Sequence, residues 1–355
     1  MINLTFDGPD EMGLEIAGAP EVVEAAMAET DRLAPSLAGL LEASARTVLL
    51  GTGMSLAVAT AVAPAWRRTG RSGSERPVVV RESTAAALGS DDGRVWQPGD
   101  LVVAISKSGT SPETVSAARH AALSGATVVA VTAMPGSPLA ETASLVVPTP
   151  IGEELGAGTR SASAAFAALL GICGALDCGP ASRDETVAAL RLTVESWAMI
   201  EPIGISLAAA ERLWIVGFGS GIGLADAAAI MWHEKVHRPA VALSVSEFRH
   251  GPIEAARSGD AVIVVDPDKS IAERTAYLSR LLVELTSMGV GVTWLAQAPP
   301  EAVKAIPLAT SPGPHASIEA LVRLQQLARS TAHAAGTYRD GFDVLHSIVT
   351  PATGL

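Results

Sequence analysis

Four hydroxyls and one ammonium fall within the six residues Ser106-Lys107-Ser108-Gly109-Thr110-Ser111, directly before Pro112. The apolar, largely β-branched run Leu101 to Ile105 precedes them and the periodic run Thr114 to Leu123 follows, so the pattern predicts a strand, a turn and a helix. Pro112 suits the first helical turn, where backbone N–H groups lack intrahelical acceptors and the helix dipole favours an anion. Such a turn could cradle a phosphate. Hydroxyls before a helix ordinarily act as caps, but four of them with a lysine and a glycine are a more specific set.

The elements that must position this loop follow from periodicity. Pro20 to Ser44 has helical spacing, with Pro35 expected to divide it into two helices. Thr47 to Leu50, Pro77 to Val80, Leu101 to Ile105, Ala126 to Val131 and Leu145 to Val147 are strand-length apolar runs separated by helical stretches. That alternation implies a parallel sheet covered on both faces, a three-layer, flavodoxin-like α/β arrangement. A helix is expected from Thr159 to Leu176, then a Gly- and Pro-containing linker from Asp177 to Asp184. The second half repeats the pattern, with a helix from Glu185 to Ala210 and strands at Leu213 to Val216, Val241 to Leu243, Ala261 to Val265 and Val290 to Leu295. Both halves carry a glycine turn after their first strand, Gly51-Thr52-Gly53-Met54-Ser55 and Gly217-Phe218-Gly219-Ser220-Gly221. Where the first half has its hydroxyl loop, the second has Asp266-Pro267-Asp268, which repels phosphate, so one phosphate site per chain is expected, in the first domain. Leu56 and Ile222 replace the third glycine of a dinucleotide fingerprint, and no cofactor is expected.

Composition bounds the rest. The 355 residues are 48% hydrophobic and 17% charged, enough for two packed domains. A net charge of −12 disfavours nucleic acid. Apolar runs are too short to span a membrane and the N-terminus lacks a signal-peptide pattern, so a cytoplasmic location without membrane association is expected. Cys173 and Cys178 lack nearby histidines, which makes a metal site unexpected and an idle pair the ordinary reading.

Together with the hydroxyl loop and the glycine turn ending in Ser55, the motif Glu247-Phe248-Arg249-His250-Gly251-Pro252 resembles the sugar isomerase (SIS) domain family, in particular proteins with two tandem SIS domains. It is similar to the isomerase half of glutamine:fructose-6-phosphate amidotransferase and to fructosamine-phosphate deglycases and aminosugar-phosphate deaminases. The resemblance runs from Met12-Gly13-Leu14-Glu15-Ile16, like the family's first helix, to the tail. It implies an N-terminal leader and helix over 1–35, a phosphate-binding first domain over 36–180, a second domain over 181–340 and a tail over 341–355 that closes over the site.

The resemblance further implies phosphate binding by Ser55, Ser106, Lys107, Ser108 and Ser111, with Gly53, Thr159, Glu247, Arg249 and His346 near the sugar. Glu234 matches the glutamate that moves a proton between the first two sugar carbons, and His250 the histidine of ring opening, which in relatives comes from the other subunit of a homodimer. Without the resemblance, Glu234, on the expected helix Ile222 to Val236, would read as a solvated carboxylate, and His250 as a capping or core histidine beside a Gly-Pro turn. With it, a positioned carboxylate beside a carbonyl carbon is a general base, typically worth ~10²–10⁴-fold.

The pattern also departs from the family. Ala227 stands where amidotransferase relatives carry a second glutamate, and their tail lysine is absent from Asp343 to Thr350, where His346 or Ser347 takes its place. No glutaminase segment or N-terminal cysteine nucleophile is present, so glutamine-dependent chemistry is not expected. The expected activity is an aldose–ketose isomerase or aminosugar-phosphate deaminase; the alternative is a sugar-phosphate-binding regulator without chemistry.

Overall fold

The computed structural model describes residues 10–68, 75–89, 95–174, 183–268, 275–297, 299, 303–310 and 313–344. In the first half, α1 (Glu11–Ala17) and α2 (Ala19–Ala43) lead into β1 (Arg46–Gly51), α3 (Met54–Arg67), β2 (Val78–Glu82), α4 (Ser83–Leu88), β3 (Asp100–Ile105), α5 (Pro112–Leu123), β4 (Thr127–Thr132), α6 (Pro138–Thr142), β5 (Leu145–Pro148) and α7 (Arg160–Gly174). The second half runs through α8 (Arg183–Glu195), α9 (Glu201–Ala208), β6 (Leu213–Gly217), α10 (Ser220–Met231), β7 (Ala240–Ser244), α11 (Val245–Arg249), β8 (Ala261–Val265), α12 (Thr275–Ser287), β9 (Gly291–Ala296), β10 (Lys304–Pro307) and α13 (Pro314–Ala335).

Each half forms a parallel five-stranded sheet flanked by helices, in the orders β2-β1-β3-β4-β5 and β10-β9-β8-β6-β7. Read from its other edge, the second order is that of the first. The chain reverses direction across the sheet between β1 and β3, which leaves a crevice beyond their carboxyl ends, the usual ligand position in open α/β sheets. Leu50 pairs with Ala104, so the glycine turn after β1 and the hydroxyl loop after β3 emerge side by side at that crevice.

Strand residues alternate between two cores because successive side chains point to opposite faces. Leu101, Val103 and Ile105 enter a central core shared by both halves, while Val102 and Ala104 enter an outer core under α5. In β6, Leu213 and Ile215 face the same central core and Trp214 and Val216 an outer one. The halves meet closely where Gly223 of α10 lies against α3: a Cβ there would meet the backbone of Ala57 and Ala61.

Two helical expectations are corrected. α2 continues through Pro35, which is exposed, so the carbonyl it leaves unbonded can reach water while buried Met27, Thr30, Leu37 and Leu41 hold both sides. The single helix expected from Glu185 to Ala210 is instead α8, a short 3₁₀ turn at Trp197–Met199 and α9, because Pro202 fits only the first turn of a helix. β10 had no assigned strand in the sequence reading. Cys173 is buried and carries no free thiol; Cys178 and most of the expected linker lie outside the described residues. No helix among the described residues is long and apolar enough to cross a membrane.

Candidate active site at the first crevice

The hydroxyl loop is held from beneath. Gly109 has φ +62°, and a Cβ there would overlap Ser137, whose hydroxyl caps α6. The Thr132 hydroxyl donates to the Lys107 carbonyl (3.1 Å). Within the loop, Ser106 Oγ lies 3.2 Å from Ser111 Oγ and accepts from the Gly109 N–H (3.2 Å). Ser108 Oγ accepts from both the N–H (3.2 Å) and the hydroxyl (2.9 Å) of Thr110. Ser111 is the N-cap residue of α5, yet its side chain makes no capping bond. The hydroxyls therefore organise the loop and leave the first N–H groups of α5 facing the crevice. Across from them, Gly53 turns the chain at φ +55°, and Ser55 sits in the first turn of α3.

Lys107 reaches across the crevice to the segment before α7. Its Nζ lies 2.8 Å from Glu154 Oε2 and donates to the Glu154 carbonyl (3.1 Å). The Glu154 carboxylate is fully enclosed and accepts from the Thr159 N–H (3.0 Å), the Ser161 N–H (2.9 Å) and the Ser161 hydroxyl (2.6 Å). The Thr159 hydroxyl donates to Glu15 of α1 (2.7 Å), whose other oxygen accepts from the Leu155 N–H (2.9 Å). Burial raises the Glu15 pKa against these hydrogen bonds. Thr159 is thus fixed between two carboxylates, its own side chain fully buried.

Glu234 lies beyond α10, on a single π turn, Trp232–Val236. π turns widen a helix locally and recur at functional sites. The turn ends at His237, in the left-handed region at φ 55°, with its Nε2 3.0 Å from the Glu234 carbonyl. Oε2 of Glu234 is buried and has no hydrogen-bond partner among the described residues. Burial pushes its pKa up to about 7, opposed by Lys235 and reinforced by the charge of Glu154. Repulsion from Glu154 ties the base electrostatically to the carboxylate that holds Lys107. A carboxylate that titrates near neutrality with a bare oxygen can take and return a proton.

Other expected site residues are engaged elsewhere. His250 is exposed at the end of α11, and among the described residues its ring joins no hydrogen bond with those of the crevice. Glu247 closes a capping box with Ser244, and those bonds lower its pKa. Arg249 donates to Glu284 (3.0 Å) and stacks over Tyr277. His346 and Ser347 lie outside the described residues. Sequence reasoning did not single out Glu15, Glu154 or Lys235, although Glu15 and Glu154 lie inside stretches it marked, Met12 to Ile16 and Gly152 to Gly156.

The matching crevice of the second sheet is filled. Asp268 accepts from the Ser220 N–H (2.8 Å) and hydroxyl (2.7 Å) at the start of α10. The chain supplies its own carboxylate where the first half leaves donors open.

Residues 40–171, from α2 through the hydroxyl loop into α7, match a known domain family. That family is the SIS domain. The second half lies outside this SIS match but has the same strand order. Over 197 residues the chain is 28% identical to the glutamine–fructose-6-phosphate aminotransferase (isomerizing) of Zymomonas mobilis, covering 51% of this chain and 32% of that protein. The chain therefore matches about a third of the length of this curated relative. The C-terminal domain of glucosamine-fructose-6-phosphate aminotransferase from Francisella tularensis superposes with a TM-score of 0.79 at 20% identity, covering 95% of this chain and 99% of that one. Glucosamine-6-phosphate deaminase from Thermotoga maritima gives 0.74 at 18% identity, with 93% and 97% covered. At these identities the two structures establish a shared fold.

Proposed function

We propose that the chain acts on a sugar phosphate by moving a proton between C1 and C2, as an aldose–ketose isomerase or an aminosugar-phosphate deaminase. The observation that carries this reading is Glu234: a half-buried carboxylate with one enclosed oxygen that has no hydrogen-bond partner among the described residues and a pKa of about 7, coupled through Glu154 to the lysine of the hydroxyl loop. The phosphate would sit against Ser55, Ser106, Lys107, Ser108, Ser111 and the open N–H groups of α5, displacing Glu154 from Lys107. Thr159, expected near the sugar, is fully buried with its hydroxyl given to Glu15, so it would hold the segment before α7 in place and not touch the ligand. Glu234 takes the C2 proton of the open-chain aldose and returns it to C1, while a second proton passes from the C2 hydroxyl to the C1 carbonyl oxygen, so that the 1,2-enediol collapses to the C2 ketone with no net gain or loss of protons. His250 would open the ring from the other subunit of a homodimer, which accounts for its exposure in a single chain. The names of the SIS relatives, an isomerizing aminotransferase and a deaminase, support this class of substrate.

The test is solvent exchange. A panel of ketose, aldose and amino-sugar phosphates is incubated in heavy water, and an accepted substrate should gain deuterium next to its carbonyl. Glu234→Gln should abolish the exchange and cut turnover at least about a hundredfold, with affinity nearly intact. Tight binding of a sugar phosphate with neither exchange nor turnover across the panel would instead identify a non-catalytic sugar-phosphate-binding regulator.

A further inference from the structure

Lys235 is an unusual neighbour for a buried base. It follows Glu234 on the π turn and is 2% exposed, among the most enclosed large side chains of the protein. A lysine is almost never fully buried unless its ammonium is compensated. Here the compensation is backbone from after α13: Nζ donates to the carbonyls of Arg339 (3.0 Å) and Gly341 (2.6 Å). The rings of Tyr338 and Phe342 flank it at 5.8 and 5.3 Å. Thr337 closes the attachment by donating to the Lys235 carbonyl (3.1 Å). On the other side Nζ lies against Gly156, where a Cβ would approach it to 3.0 Å, so the loop carrying Glu154 and Thr159 leaves space for this ammonium alone.

We propose that Lys235 is a positioning residue: its ammonium latches the segment 338–342 beside the π turn and supplies the fixed positive charge next to the Glu234 carboxylate. The proposal deepens the reading of Glu234 as the proton-transfer base and rests on it. The charged groups around the ammonium are Glu234 on its own turn, Glu11 and Glu15 of α1, and Asp340 of the latched segment. Those that act on Glu234 are Lys235 and, from the loop before α7, Glu154. Of the neighbouring histidines, His233 bonds the backbone of Ala240, and His237 bonds the backbone carbonyl of Glu234 (3.0 Å) and faces Asp343 at 3.8 Å. Lys235 is therefore the one group acting on Glu234 from its own turn that favours the carboxylate form. The carbonyls of Arg339 and Gly341 hold it there.

Two readings of the ligand-free full chain test this. Arg339 is exposed while its carbonyl accepts from Lys235, so trypsin cleavage after Arg339, followed by mass spectrometry, reports release of the latch. Lys235→Met keeps the length of the stem and removes charge and donors; cleavage should accelerate about tenfold or more. Carbon-13 NMR of the Glu234 carboxyl, assigned with Glu234→Gln, should move its midpoint from about 7 to roughly one pH unit higher in Lys235→Met. Should that variant fail to fold, Lys235→Gln, which keeps an uncharged amide donor group, should raise the midpoint similarly with a smaller gain in cleavage. A wild-type value for either reading in the folded variant overturns the proposal, since a merely structural lysine would leave the titration unmoved. Neither reading uses substrate or turnover, so an inactive protein would count against the isomerase reading alone.

Discussion

Glu234 makes acid–base behaviour the most informative property at the level of single residues. Its folded pKa of about 7 lies above its ordinary 4.5, so between those values the folded protein holds a proton that the unfolded chain releases. The stability linked to that proton is full below about pH 4.5 and is lost as pH rises through about 7. Glu234→Gln should therefore be more stable than the wild type at pH 8, by about 3 kcal/mol at most, and nearly equal to it at pH 4, as read from denaturant midpoints. The same titration predicts that kcat/KM falls on the acid side with a midpoint near 7. At the other end of the crevice, Ser108→Ala should weaken a phosphosugar by roughly ten- to a hundredfold while leaving the weak binding of the dephosphorylated sugar unchanged, measured by calorimetry. The hydroxyl loop was legible because its residue types sit together in six positions. Glu154 was not: its importance comes from Lys107, 47 positions away, which no local pattern announces.

Element by element, strands were the easiest to read, because β-branched runs between glycine turns admit little else, and β1, β3, β6 and β8 fall within a residue of expectation. Proline was harder to place, since its effect depends on exposure: Pro35 faces water and lets α2 continue, whereas Pro202 begins a new helix. The π turn at Trp232–Val236 has no signature in the sequence, because the extra residue is accommodated by packing against α13 and the tail. The α3–α10 contact offers a test of the packing that joins the halves. Gly223→Ala adds one methyl against the backbone of Ala57 and Ala61, and should lower stability by about 1–3 kcal/mol, measured as a shift in urea midpoint without a change in slope. A shift within error would mean that the two helices separate at little cost.

For the whole molecule, the central question is whether one chain completes its own site. Glu154 acts electrostatically on Glu234 and pairs with Lys107 of the hydroxyl loop, while His250 lies exposed on α11. If the partner's copy supplies that ring, mixing inactive Ser108→Ala and inactive His250→Asn chains should restore part of the activity, measured on purified heterodimers. Sites built within one chain predict no recovery. The second crevice bears on the same question of how many ligands an assembly holds. Asp268, seated on the Ser220 N–H and hydroxyl, is a competitor tied to the chain. A tethered group acts at a fixed effective concentration, on the order of millimolar for a short tether, whatever the solution contains. If dilute phosphate does not displace it, saturation with a phosphosugar should follow one hyperbola with a single ligand per polypeptide, and the duplicated architecture would not become a duplicated appetite.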